Sequence, residues 1–306
     1  MSTSSSRNRT ITLTADERRH FSERLLTLTA PVKPKQIMDR TIAQDLFAAL
    51  PFLPEKFVDL LIVDPPYNLT KDFNGRTFRA TSHDAYEAWM EQWFAPLLRT
   101  LKPTASVYLC GDWRSSGVLQ RVAEKHLIVR NRITWEREKG RGAKANWKNA
   151  SEDIWFCTVS EKYTFHTDAV KLKRKVIAPY TEKGKPKDWS KTDEGNFRLT
   201  HPSNLWTDLT VPFWSMSENT EHPTQKPEKL LAKLILASSR EGDVVLDPFL
   251  GSGSTSVAAK KLGRRYVGIE IDPKFACIAE KRLARAGTDR TIQGFTDGVF
   301  WDRNAR

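Results

Sequence analysis

"FVDLLIVDPPYNL" (residues 57–69) is an almost unbroken apolar run that stops on Asp64 and turns at once into two prolines and an aromatic. A strand with apolar side chains on both faces is covered on both sides, as inside a parallel sheet flanked by helices. Pro65 and Pro66 cannot extend a central strand, because each has a fixed φ and no backbone N–H. They form instead a stiff loop that presents carbonyl oxygens, the Asp64 carboxylate and the Tyr67 ring at the carboxyl end of the strand.

The flanking sequence repeats the pattern. "AYEAWMEQWFAPLLRTL" (85–101) reads as an amphipathic helix closed by Lys102-Pro103, "ASVYLCGD" (105–112) as a second buried strand and "GVLQRVAEKH" (117–126) as a helix. "RNRITWERE" (130–138) and "EDIWFCTVS" (152–160) follow as strands. After residue 215 the alternation resumes. "KPEKLLAKLILASS" (226–239) is a helix with Pro227 in its first turn, and "DVVLDPF" (243–249) a strand. "SVAAKKLG" (256–263) is a helix ended by Gly263, and "RYVGIEID" (265–272) a strand. A last helix has Asp272 as N-cap and Pro273 at its first position. This order implies an α/β fold built on an open, mostly parallel sheet.

Two stretches fall outside that grammar. "TADERRHFSERLLTL" (14–28) reads as a helix opened by a capping box, Thr14 with Glu17, behind a polar start expected to be disordered. "KLKRKVIAPYTEKGKPKDWSKTDEGNFRL" (171–199) is basic, turn-rich and nearly without apolar periodicity, as expected of an insertion. The organisation is therefore an arm (1–35), a first half (36–170), an insertion (171–215), a second half (216–286) and a tail (287–306).

A net charge of +12 favours an anionic partner such as nucleic acid. Cys110, Cys157 and Cys277 are far apart, with neither zinc nor disulfide spacing, which suits a reducing cytoplasm and no metal. No apolar run is long enough to span a membrane.

"DVVLDPFLGSGST" (243–255) lets the backbone turn sharply and approach a ligand at the carboxyl edge of a strand. It is neither a G-x-G-x-x-G fingerprint nor a lysine-bearing phosphate loop, so NAD and ATP fit poorly. Glu270 ends the next strand, where a carboxylate can accept from both hydroxyls of a ribose.

"DPPY", "HPTQKP", "DPFLGSGST" and "GIEID", with the acidic loop ahead of the glycine turn, resemble the S-adenosylmethionine-dependent amino-methyltransferases of DNA in their beta-group order. The matching segments run from about residue 36 to 286. The resemblance implies a Rossmann-like methyltransferase sheet with helices on both faces and an inserted target-recognition region. It implies S-adenosylmethionine over Asp247, Phe249, Gly251 and Gly253, with Ser254 and Thr255 nearby and Glu270 on the ribose. Thr224, Gln225 and Lys226 would approach the methionine end, and Asp64 would also contact the cofactor. Asp45 would meet the cofactor's adenine, a helix N-cap being its other reading.

The reaction implied at Asp64, Pro65, Pro66 and Tyr67 is direct methylation of an exocyclic amino group, with the base flipped from duplex DNA and stacked on Tyr67. N4-cytosine relatives usually carry serine where this chain has Asp64, so N6 of adenine is expected; N4 of cytosine, or a non-catalytic DNA-binding module, are the alternatives. Lys144, Lys173, Arg174, Lys175, Lys185 and Lys187 are the candidate DNA contacts. A homodimer through helix faces carrying Trp89, Trp93 and Phe94 (core packing being the other reading of these rings), a separately acting restriction endonuclease, and a place at the nucleoid of a bacterial or phage-infected cell complete the expectation.

Overall fold

The computed structural model describes residues 8–73, 75–137, 146–176, 180–183, 185–193 and 195–303. Its strands are β1 (Arg40–Ala43), β2 (Val58–Val63), β3 (Lys71–Phe73), β4 (Arg76–Phe78), β5 (Leu101–Gly111), β6 (Ile128–Glu136) and β7 (Ser151–Thr158). These are followed by β8 (Leu172–Lys175), β9 (Thr181–Glu182), β10 (Lys185–Pro186), β11 (Ser190–Thr192), β12 (Gly195–Thr200) and β13 (Leu205–Trp206). The last four are β14 (Val244–Asp247), β15 (Arg265–Glu270), β16 (Phe295–Thr296) and β17 (Val299–Trp301).

Eight of them form the main sheet in the order β1-β15-β14-β2-β5-β7-β6-β13. Pairing is parallel from β1 to β5 and between β6 and β13; only β7 runs antiparallel to its neighbours. The apolar run read first sits near the centre, and its alternation serves both faces. Leu61 and Val63 pack with the helices His83–Leu97 and Ser116–His126, while Leu60 and Ile62 pack with the helices Glu228–Ser238 and Ser254–Lys261. Each such side chain contributes roughly 1.5–3 kcal/mol by burial.

Some boundaries differ from the sequence reading. The arm helix has its capping box but covers only Ala15–Ser22, because Leu26 leaves to bridge Ile42 beside β1. The helix His83–Leu97 ends well before Lys102-Pro103, and a short 3-10 turn leads directly into β5. Pro103 is tolerated there because the β2–β5 ladder skips between its Val58–Leu101 and Leu60–Ser106 pairs, so no ladder donor is lost. Trp93 and Phe94 are fully buried and Trp89 packs on Phe78, Tyr86 and Phe249, so these rings belong to the core and not to a dimer face.

The basic stretch does form strands. β11-β12-β8-β17-β16 make a second sheet, whose last two strands come from the segment read as a tail. Phe300 is the reason: it is fully buried with Val170, Leu172 and Ile292 against Ala232 and Ala237 of the helix Glu228–Ser238.

Candidate active site

β2 and β14 are neighbours and end side by side, so the Asp64 loop and the glycine turn open into one cavity of about 440 Å³. The acidic loop is fastened from outside. Tyr86 donates its hydroxyl to the Pro66 carbonyl (2.8 Å), and Leu69 N donates to the Tyr67 carbonyl (2.6 Å). Asn68 N donates to Ser115 Oγ (3.0 Å), and the Asn68 side chain exchanges hydrogen bonds with the Thr81 backbone (2.9 and 2.8 Å). No described residue donates to the Pro65 carbonyl.

The Tyr67 hydroxyl donates to Asp64 Oδ1 at 2.8 Å and lies 3.1 Å from Glu152 Oε2. Burial, together with the Asp64 and Glu152 carboxylates, pushes the phenol well above its ordinary range, so it stays protonated. Lys226 Nζ lies 2.6 Å from Asp64 Oδ2, 3.0 Å from Tyr67 Oη and 3.3 Å from Glu152 Oε2. Burial by itself would lower this ammonium, but the Asp64 and Glu152 carboxylates outweigh it and hold Lys226 charged. Arg137 Nη1 donates to Glu152 Oε1 at 2.5 Å.

At the other end Glu270 Oε2 accepts from Gly251 N (2.7 Å) and Oε1 from Asp272 N (2.8 Å), so the same carboxylate that faces the cavity sets the glycine turn. Phe249, Gly251, Thr224, Gln225, Lys226 and Asp45 also line the cavity. Asp45 lines the wall, and its N-cap reading is shown: it caps the short helix Leu46–Ala49 by accepting from Phe47 N (2.9 Å). Gln225 is spent on its own loop: its amide oxygen accepts from Thr220 N (2.9 Å) and Oγ1 (2.7 Å), and its nitrogen donates to the Glu218 carbonyl (2.8 Å). His222 sits against Gly251 with its imidazole lowered to about 3 by burial and by Lys226 and Lys71, hence neutral.

Asp247, Gly253, Ser254 and Thr255 do not line the cavity and hold the turn from behind. Thr255 Oγ1 donates to Asp247 Oδ2 (2.5 Å), Phe249 N to Asp247 Oδ1 (2.9 Å), and Arg282 Nη1 to Ser254 Oγ (3.0 Å). Lys226, expected at the methionine end, lines the cavity and pairs with the Asp64 carboxylate. Glu152, Arg137 and Lys71 were not among the site residues expected from sequence; Glu152 is an acid at the start of an apolar strand, and only the antiparallel course of β7 brings it to the rim where Asp64 follows β2.

Lys173, Arg174 and Lys175 lie together in β8. Lys173 Nζ sits 3.9 Å from the Trp301 ring centroid and 4.5 Å from that of Phe197, while Arg174 pairs with Asp302 at 3.4 Å. Lys187 lies 3.5 Å from Glu182; Lys175 and Lys185 are exposed. Lys144 lies outside the described residues.

Fold and site together define a Rossmann-like enzyme in which one cavity joins a glycine-turn end to a carboxylate–tyrosine end. The family model described as DNA methylase matches residues 58–281, and the chain belongs to that family. It is 33% identical over 259 residues to the type II methyltransferase M.HpaI of Haemophilus parainfluenzae, covering 84% of this chain and 76% of the relative. It is 33% identical over 246 residues to the DNA adenine methyltransferase YhdJ of Escherichia coli K12, covering 78% and 80%. Among solved structures, the cytosine-N4-specific PvuII DNA methyltransferase matches with a TM-score of 0.58 at 16% identity, over 81% of this chain and 90% of that one. TTHA0409 of Thermus thermophilus, a putative DNA modification methylase complexed with S-adenosyl-L-methionine, matches with 0.54 at 22% identity, over 87% and 99%. These two likenesses bear out the expected fold.

Proposed function

We propose that this chain transfers the methyl group of S-adenosylmethionine to the N6 amino group of adenine in double-stranded DNA. The observation that carries the reading is that the Asp64 loop and the Gly251–Glu270 turn open into the same cavity. The residues present fit the cofactor: Gly251 brings bare backbone to the wall, Glu270 adds a carboxylate beside it, and Phe249 and Phe275 supply apolar surface. Bound there, S-adenosylmethionine supplies an electrophilic methyl group.

The chain's own contribution is preorganisation. The adenine amino nitrogen is a poor nucleophile, because its lone pair is delocalised into the ring. Acceptors at Asp64 and at the Pro65 carbonyl accept hydrogen bonds from its two N–H groups and favour a more tetrahedral nitrogen. The tethers from Tyr86, Ser115 and Thr81 hold those acceptors still, so little reorganisation is left for the reaction. Tyr67 is the platform for a base that has left the stack. Asp64 in the first motif position, and the adenine methyltransferase among the relatives, support adenine over cytosine. A separately acting endonuclease belongs to the same reading, supported by the type II methyltransferase among the relatives.

The test is direct. Duplex DNA treated with the protein and S-adenosylmethionine is digested to nucleosides and chromatographed. N6-methyldeoxyadenosine is expected; N4-methyldeoxycytidine would move the chain to the cytosine class, and no methylated nucleoside would refute the reading.

A further inference from the structure

Both oxygens of Asp64 are already in use. Tyr67 donates to Oδ1 at 2.8 Å, and Lys226 Nζ is 2.6 Å from Oδ2. An incoming amino group that must donate to this carboxylate meets an ammonium in the place it needs. Lys226 is 9% exposed, so it cannot simply swing into water. Moving a buried ammonium off its carboxylate without a second partner is strongly unfavourable.

Glu152 is that partner. It opens β7, its side chain is 5% exposed, and its Oε2 stands 3.3 Å from Lys226 Nζ. Its other oxygen is held by Arg137 at 2.5 Å, so the carboxylate stays in place whichever way Lys226 moves. We propose that Glu152 is a positioning residue for methyl transfer: it takes Lys226 from Asp64 when the target amino group arrives. The inference rests on the Asp64-centred reading above. The exchange shifts the ammonium by a small rotation between two carboxylates that share it. It frees Asp64 Oδ2 and draws a positive charge away from a nitrogen that itself becomes positive as it accepts the methyl group.

Glu152→Gln tests this, because it preserves shape and one acceptor oxygen while removing the charge that attracts Lys226. Single-turnover methylation should fall about 10- to 100-fold, the scale of a misplacement of about 1 Å at a reacting group. S-adenosylmethionine affinity should stay near wild type while Tm falls, because Arg137 and Lys226 lose a buried carboxylate, and Glu152→Asp should recover part of the rate. The distinguishing measurement is Glu152→Gln combined with Lys226→Met. With the obstructing ammonium gone, the double variant should turn over faster than Glu152→Gln alone, a coupling that a merely structural role would not produce. A wild-type rate in Glu152→Gln, or a double variant no faster than Glu152→Gln, overturns the proposal. Asp64→Ala separates the two readings: if it is inactive while Glu152→Gln is normal, only the role of Glu152 fails. If Asp64→Ala is fully active, the Asp64 mechanism itself is lost.

Discussion

Gly253 belongs to the glycine turn that the sequence assigns to the cofactor, yet its surroundings assign it to helix packing. It precedes the helix Ser254–Lys261 with φ +88°, a left-handed conformation. A Cβ at this position would come within 2.6 Å of Ala279 Cβ and 2.9 Å of Ala279 Cα, in the helix Pro273–Arg285. Gly253→Ala therefore adds about 1–2 kcal/mol of backbone strain to about 1–3 kcal/mol of overpacking. The sum, about 2–5 kcal/mol, is a large share of the roughly 5–15 kcal/mol that holds a domain folded. At about 2–4 °C per kcal/mol, Tm should fall by about 4–20 °C. Calorimetric unfolding of the protein without cofactor measures this, and titration with S-adenosylmethionine well below Tm should find an affinity close to wild type. Gly251→Ala is the contrast. Its Cβ would meet the His222 ring at 3.0 Å inside the cavity, so cofactor affinity should suffer there. An unchanged Tm in Gly253→Ala with lost cofactor binding would refute the packing argument.

Asp64→Ala should lower methyl transfer by at least about 100-fold, the scale of one preorganised polar contact, with cofactor binding largely kept; near-normal turnover in steady-state kinetics contradicts this. Glu270→Ala should chiefly raise the apparent constant for S-adenosylmethionine, with some loss of stability because Gly251 N and Asp272 N lose their acceptor; a collapsed kcat with intact affinity argues otherwise. Burial pushes the Asp247 carboxyl up to about 7, above its ordinary 3.8. Between about pH 4 and 7 the folded chain therefore holds a proton that the unfolded chain releases, and stability falls as pH rises through that window. Asp247→Asn should flatten this part of the stability curve, and identical slopes in denaturant titrations would count against it. Replacing Lys173, Arg174 and Lys175 with alanine should reduce the log–log salt slope of DNA binding by only about 1 unit, at about 0.9 per phosphate contact. Lys173 is engaged by two rings and Arg174 by Asp302, so a loss of about 3 units would mean that both reorient onto DNA.

Periodicity and turn chemistry made much of the sheet legible. The two-faced run Val58–Val63, the capping box at Thr14, the N-cap at Asp272 and the left-handed turn at Gly251 are all settled within a few residues of chain. Such features depend on backbone sterics and on which face of an element is apolar, and both are written locally. The motif residues Asp64, Phe249, Gly251 and Glu270 could be placed on one cavity for that reason, since each ends or follows a parallel strand. The partners of those residues were not legible. Lys226 reaches Asp64 across 162 positions of sequence, and Tyr67 reaches Glu152 across 85. Nothing near Lys226 says whether its ammonium will meet a ligand's carboxylate or the protein's own. The answer depends on β2 lying beside β5 and β5 beside β7, which brings Asp64 and Glu152 to one rim. The C-terminal strands repeat the lesson: a short polar-looking tail became a sheet edge because Phe300 had an apolar pocket waiting on a distant helix. Local sterics choose the elements, but long-range burial and charge pairing choose which side chains meet, and the chemistry of this site depends on those meetings.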